Sequence, residues 1–198
     1  MKLAIVGGTG DFGLALARRL VEAGDEVVIG SRDATRAREK AVEVGAAVGN
    51  ANEDAVRGVA LVVLATKAEA ALETAGALAE AIDVTPLLSV ASELRGGGSL
   101  SLAERIQALV QAPVVAGLHS LAAGKLAHGR PDEDAFVCGD DAEAKALALE
   151  LASKVVAGRA LDAGPLAGAR ALEGMTAVIV NLNKRYKGHA GLRVTGLP

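Results

Sequence analysis

The sequence predicts an α/β fold, a doubly wound, mostly parallel sheet with a small C-terminal helical and strand extension. Three observations predict it. The chain opens on a buried apolar run, Leu3-Ala4-Ile5-Val6, that feeds a glycine turn and then a helical pattern. A further continuous apolar run follows at 60–65, as a parallel strand covered on both faces requires, and more strands are expected at 26–30 and 113–118. The length of 198 residues suits one domain, or one domain plus a small addition.

Composition narrows the partners. The chain is 51% hydrophobic but only 2% aromatic, so its core is built from Ala, Val and Leu. A net charge of −3 with mixed signs argues against nucleic acid, and so few aromatics offer no base-stacking platform. One cysteine excludes an internal disulfide and a cysteine metal cluster. Met1-Lys2-Leu3 enters the fold at once, so no signal peptide is expected. The most apolar helical stretch, 177–182, is too short to cross a bilayer. The expectation is a soluble cytoplasmic protein with no membrane partner.

The opening turn carries the first chemistry. Gly8-Thr9-Gly10-Asp11-Phe12-Gly13 fits G-x-G-x-x-G between a strand and a helix. Gly8 permits the tight turn, Gly10 lets a pyrophosphate approach the backbone, and Gly13 lets the helix pack on the strand. The helix, from Asp11 to about Ala23, would aim its N–H groups and dipole at the phosphates. A plain strand–helix turn is the alternative. The first helix buries Phe12, Leu14, Leu16, Ala17, Leu20 and Val21, and Gly24 ends it.

The second strand, 26–30, ends in Gly30-Ser31-Arg32. A nucleotide fold selective for NAD(H) places Asp or Glu there, on the ribose 2′-hydroxyl. Here glycine leaves room for a 2′-phosphate, Ser31 can donate to it, and Arg32 can fork to it. Arg36 lies one helical turn on, on the same side. The pattern reads as NADP(H) over NAD(H). The alternative is that Arg32, Arg36 and Arg38 form a solvated helix face, with Asp33 as the helix cap.

A small helix is expected within 50–57. The strand at 60–65 turns at Thr66-Lys67 into a helix reaching Ile82, which brings Thr66, Lys67 and Ala68 to the carboxyl edge where ligands sit. Lys67 reads equally as a surface lysine. Residues 84–90 form the next strand, with Pro86 marking either an edge or a strand end. The stretch 91–99, with Gly96-Gly97-Gly98, is a loop. A helix at 100–110 and a strand at 113–118 follow. His119 lies past that strand's end, as a structural hydrogen bonder or as an acid or base. No metal spacing surrounds it. Small Ala122, Ala123 and Gly124 would admit a flat ring close to the backbone.

Residues 134–138 read as a strand, with Cys138 a buried small hydrophobe. Gly139-Asp140-Asp141 caps a helix from Ala142 to about Val156. A strand at 159–162 leads to a long helix over 166–186. Its apolar stripe (Leu172, Met175, Val178, Ile179, Leu182) exceeds what one face needs, which suits either a dimer contact or the core. The basic tail from Asn183 to Arg193 suits the helix dipole or meets an anionic substrate.

Taken in order, these blocks resemble the NADPH-dependent reductases of the deazaflavin coenzyme F420. The matching pieces are the GGTGDFG start, Gly30-Ser31-Arg32, Gly117-Leu118-His119-Ser120, Val137-Cys138-Gly139-Asp140-Asp141, Leu161-Asp162-Ala163-Gly164-Pro165-Leu166 and the basic tail. The resemblance implies a Rossmann-type NADP-binding domain over 1–118. It also implies a smaller part, 119–198, that completes the substrate pocket and the contact of a homodimer or higher homo-oligomer. NADP phosphates would lie on Thr9 to Phe12, and the 2′-phosphate on Thr9, Ser31, Arg32 and Arg36. The nicotinamide end would lie near Thr66, Ala68, Leu72 and Ala123. The deazaflavin would border Val90 and the rest of 85–90, His119 and the tail around Ala190. Archaeal members carry a Pro-aromatic pair where this chain has Lys67-Ala68, and Pro where it has Ser89, positions that face the reactive ring.

The implied reaction is hydride transfer between NADP(H) and coenzyme F420, with both rings carrying the chemistry and His119 hydrogen-bonding a ring oxygen. No nucleophile is required, in keeping with the lack of a Ser/His/Asp or Cys/His constellation. Other readings share the opening: an NADPH-dependent flavin or ferric reductase, an imine reductase of the pyrroline-carboxylate type, and a non-catalytic NADP(H)-sensing module.

Overall fold

The computed structural model describes residues 1–46, 48–94 and 98–197. Eight strands form one sheet in the order β3-β2-β1-β4-β5-β6-β7-β8. They are β1 (Lys2–Val6), β2 (Glu26–Ser31), β3 (Val48–Ala51), β4 (Leu61–Leu64), β5 (Leu87–Ser89), β6 (Val114–Gly117), β7 (Ala135–Gly139) and β8 (Ala160–Asp162). All neighbours are parallel except β6 and β7. The helices are α1 (Asp11–Glu22), α2 (Ala34–Val44), α3 (Asn52–Ala55), α4 (Ala68–Ile82), α5 (Leu102–Gln107), α6 (Ala123–His128), α7 (Ala142–Val155) and α8 (Ala169–Tyr186).

The apolar runs are continuous because both sheet faces are covered. Leu3 and Ile5 point into one cluster with α1, α2 and α7, while Ala4 and Val6 point into the other with α4, α5 and α8. The period-two alternation repeats in β4, where Leu61 and Val63 face one side and Val62 and Leu64 the other. Cys138 is fully buried, and burial pushes its thiol up to about 11. No helix among the described residues is long and apolar enough to cross a membrane.

Several boundaries differ from the sequence reading. β3 was not expected, because Val48-Gly49-Asn50-Ala51 has no apolar run; a side chain on Gly49 would strike the Ala37 backbone of α2. β5 begins at Leu87, with Pro86 just ahead of it, so the proline stands at the start of a strand that lies inside the sheet between β4 and β6. Ala123 and Gly124 open α6, which packs on α1, whereas the sequence reading had Ala122, Ala123 and Gly124 admitting a flat ring close to the backbone. The long C-terminal helix starts as a 3-10 turn, Leu166–Gly168, before α8. The expectation at Gly96 and Gly97 lies outside the described residues.

Residues past 118 continue the same sheet. Because β7 reverses, its first residues return to the edge where the parallel strands end. The tail is fastened there. Asp134 donates its N–H to the Leu192 carbonyl (2.8 Å) and accepts from Val194 N (2.8 Å) and the Arg159 guanidinium (2.8 Å). The Arg159 guanidinium holds the Asp134 carboxyl well below the usual carboxylate range. On α8, buried Glu173 accepts from Leu102 N and Ala103 N at the start of α5 (3.3 Å each), and burial pushes its carboxyl up.

α1 and the turn after β1 approach each other backbone to backbone. A Cβ on Gly13 would sit 2.7 Å from the Gly7 carbonyl oxygen and 2.8 Å from the Gly8 Cα. Gly13→Ala is expected to lower stability by about 1–3 kcal/mol through overpacking. Urea unfolding followed by circular dichroism checks it; an unchanged midpoint would refute the contact.

Candidate dinucleotide and substrate site

The site lies where the sheet order turns back. β1 feeds β2 on one side, and the chain returns to β4 on the other, leaving a crevice beyond their carboxyl ends. Gly7 makes the turn with a positive φ of 80°, which favours glycine. Gly8 N donates to the carbonyls of Ile5 (3.1 Å) and Gly30 (3.2 Å), tying the turn to β2. α1 begins at Asp11 with Gly10 as its cap and no side-chain cap bond. The first-turn amides of Asp11, Phe12 and Gly13 therefore point outward with no intrahelical acceptor. A Cβ on Gly10 would meet only the Gly7 carbonyl, at 3.4 Å, so the outer side of the turn is open. An open helix start with free amides is a cradle able to accept an anion.

At the end of β2, Ser31 is buried and its Oγ accepts from Asp33 N at 3.2 Å. The Asp33 carboxylate caps α2, accepting from Thr35 N (2.9 Å) and Arg36 N (3.2 Å). Its charge is thus spent on the helix. Arg32 and Arg36 are exposed and have no side-chain partner among the described residues. One expected reason is corrected. The space over Gly30 is filled, because a Cβ there would sit 3.0 Å from Asn52 Oδ1 and 3.3 Å from Ala55 Cβ. Gly30 lets α3 close over β2 rather than clearing a place for phosphate. Asn52 was not singled out from sequence, and its buried Oδ1 has no hydrogen-bond partner.

Beside the cradle opens a cavity of about 660 Å³. Phe12 of α1, Thr66, Lys67 and Ala68 after β4, and Val90 and Ser92 after β5 line it. Leu118, His119 and Leu121 after β6 and Thr176 of α8 complete it. Leu118 holds a φ of 63°, rare for a leucine, and this bend sets His119 against the cavity. His119 is 5% exposed and its Nε2 lies 3.2 Å from the Ala91 carbonyl oxygen. A carbonyl only accepts, so the ring hydrogen sits on Nε2. Nδ1 keeps a buried lone pair with no partner. Burial lowers the ring pKa to about 4, and the Ala91 bond opposes this only in part. A neutral ring so held accepts from an N–H or O–H of a ligand, whereas the sequence reading has it bonding a ring oxygen.

Thr176 Oγ1 donates to the His119 carbonyl (2.7 Å), which leaves Ser92 Oγ to donate to Thr176 Oγ1 (2.8 Å). α8, the β5 loop and the β6 loop are thereby joined around the histidine. The sequence reading missed Thr176 and Ser92. Thr176 carries a readable signal, a hydroxyl between Leu172 and Ile179 on the inward stripe of α8.

The structure gathers Phe12, Thr66, Ala68, Val90 and His119 around one cavity, next to Gly8, Thr9, Gly10, Asp11 and Gly13 in the cradle. It does not bring three expected residues there. Leu72 packs against the core beneath α4. Ala123 faces Asp11 and Leu14 in a separate groove between α1 and α6. Ala190 donates its N–H to Asn183 Oδ1 in the tail.

The fold and this edge define a Rossmann-type dinucleotide protein. Residues 2–93 match the family described as NADP oxidoreductase, coenzyme F420-dependent. The F420-dependent NADP reductase of Methanothermobacter marburgensis is 35% identical over 223 aligned residues, spanning 100% of both chains. That of Methanocaldococcus jannaschii is 32% identical, over 100% of this chain and 99% of its own. The chain belongs to the F420-dependent NADP reductase family. A crystal structure from Arthrobacter sp. FB24, of a protein assigned as an F420-dependent NADP-reductase, superposes with a TM-score of 0.85 at 28% identity. It covers 99% of this chain and 100% of that one. An imine reductase of Streptomyces aurantiacus shares the fold at a TM-score of 0.69 and 23% identity, over 94% of this chain and 64% of its own.

The buried histidine makes stability depend on pH in a definite direction. Its folded pKa lies below the usual 6.5, so the unfolded chain binds more protons between about 4 and 6.5. The folded state loses stability from this group as pH falls through that window. His119→Asn is expected to flatten the loss in urea unfolding series. A His119 ring that titrates near 6.5 by NMR would refute it.

Proposed function

We propose that the protein transfers a hydride between NADP(H) and the deazaflavin coenzyme F420. One observation carries the reading: Phe12 belongs both to the cradle and to the cavity wall. A dinucleotide whose phosphates rest on the first turn of α1 would therefore extend its nicotinamide end into the cavity. The residues fit the two molecules. The cradle offers free amides and an open glycine, the β2 end offers two unpaired arginines, and the cavity floor offers an orphaned acceptor. Similarity over the whole length of F420-dependent NADP reductases supports the second substrate.

When bound, the nicotinamide and deazaflavin rings supply the redox chemistry themselves. The chain's part is to orient and to exclude water. Amides at Asp11, Phe12 and Gly13 hold the pyrophosphate, with Thr9 at the turn. Ser31, Arg32 and Arg36 take the 2′-phosphate. Apolar Ala68, Val90, Leu118 and Leu121 keep the cavity dry. His119 Nδ1 accepts a hydrogen bond from a ring N–H and fixes the ring's edge. Residues 1–118 thus bind the dinucleotide, and 119–198 complete the pocket with His119, Leu121 and Thr176.

The same reading includes a cytoplasmic location and a homodimer. Val178, Leu182 and Tyr186 stand one turn apart on the outer side of α8 and are 54%, 37% and 71% exposed. Such a stripe is the seam a second copy would cover. Sedimentation equilibrium is expected to give twice the chain mass, with Leu182→Lys shifting it toward the single chain; a wild-type monomer at micromolar concentration would refute the dimer.

Purified protein with NADP⁺ and reduced F420, or NADPH and F420, is expected to change the deazaflavin absorbance catalytically. Arg32→Glu should weaken NADPH binding at least tenfold and NADH binding far less, since a charged hydrogen bond and its reversal act only on the 2′-phosphate. Equal losses for both nucleotides would overturn the 2′-phosphate assignment. Binding of NADPH without turnover of any deazaflavin would favour a sensor.

A further inference from the structure

We propose that Lys67 holds the negatively charged side chain of the deazaflavin at the mouth of the cavity and so discriminates the full coenzyme from its bare ring. This rests on the reading above and names the group that reads the substrate's tail.

Four observations lead there. Lys67 lines the cavity, is exposed, and has no ion-pair or hydrogen-bond partner for its ammonium among the described residues. It is also the cap residue of α4, a 15-residue helix with no side-chain cap bond, so the positive end of the helix dipole adds to its charge. Of the two acids on the rim, Glu93 is already paired with Arg105 at 2.7 Å, which leaves Glu69 as the counterweight. The floor holds an independent mark of a ligand, the orphaned Nδ1 of His119, whose side chain is nine-tenths buried.

Together these give the cavity a direction. A ring seated on His119 presents its substituent toward the rim, where Lys67 stands. The nucleotide does not require this cation, because the α1 amides and Arg32 and Arg36 already serve its phosphates. A substrate with a phosphodiester and carboxylates on its side chain needs such a group. An ammonium on a flexible stem suits a tail of variable length better than a rigid fork does.

The test compares coenzyme F420 with Fo, the same deazaflavin ending at its ribityl group without phosphate. Binding of each to the NADP⁺-saturated protein is read by fluorescence quenching, and KM by steady-state turnover. Lys67→Ala is expected to weaken F420 about two- to fivefold more than Fo, as a solvent-accessible ion pair would. Lys67→Arg should retain the preference and Lys67→Glu should deepen the loss. The wild-type preference for F420 should also shrink as salt rises. Equal losses for F420 and Fo, a loss confined to NADPH affinity, or a wild type that binds Fo as tightly as F420 would each overturn the assignment. A wild type that turns over both deazaflavins without preferring either would overturn Lys67 alone. One that binds the two with the expected preference but turns over neither would overturn the reaction and leave Lys67 supported.

Discussion

α1 begins in direct backbone contact with the turn after β1, because Gly13 carries no side chain to hold it off. This one close approach fixes much else. It aims the first-turn amides of α1 past the glycine turn rather than into the sheet. It places the helix start at the point where the strand order reverses, so the cradle and the crevice coincide. It also brings Phe12 across to the cavity wall. A helix one side chain further from the strand would still fold on its apolar stripe, but its amides would face a different place. The requirement is geometric, and the apolar core only serves it.

The C-terminal part depends on a second geometric fact, the reversal of β7. An antiparallel strand brings its own beginning to the edge where the parallel strands finish. Asp134 therefore stands beside the β6 loop, where Ser120 Oγ donates to its carbonyl at 3.2 Å and the tail is held by its carboxylate. The chain's last residues thus stay with the working edge of the sheet. α8 reaches the same edge from the other face and supplies Thr176. The cavity is a product of both parts, with the nucleotide half giving one wall and the later residues the floor.

Much of this was legible in the residues. Glycine spacing and apolar runs are local signals, so the strand, turn and helix of β1 and α1 read directly. Asp33 as a cap and the sheet-edge places of Thr66 and His119 follow from strand and helix periods alone. What failed to read was non-local. β3 is a strand because β2 offers it a partner and Gly49 admits α2, not because its four residues favour one. Gly30 looked like space for a ligand, whereas Asn52, twenty-two residues on, fills that space. The tautomer of His119 depends on the Ala91 carbonyl, a partner that no local pattern reveals.

Glu173 bears on how this wall can move. Its carboxylate joins α8 to the first amides of α5 one turn before Thr176 reaches the cavity. Sliding α8 outward would strand two backbone donors and a carboxylate in an apolar interior at once. The histidine side of the chamber is therefore stiff, and any opening that admits or releases a guest has to be provided by its other walls.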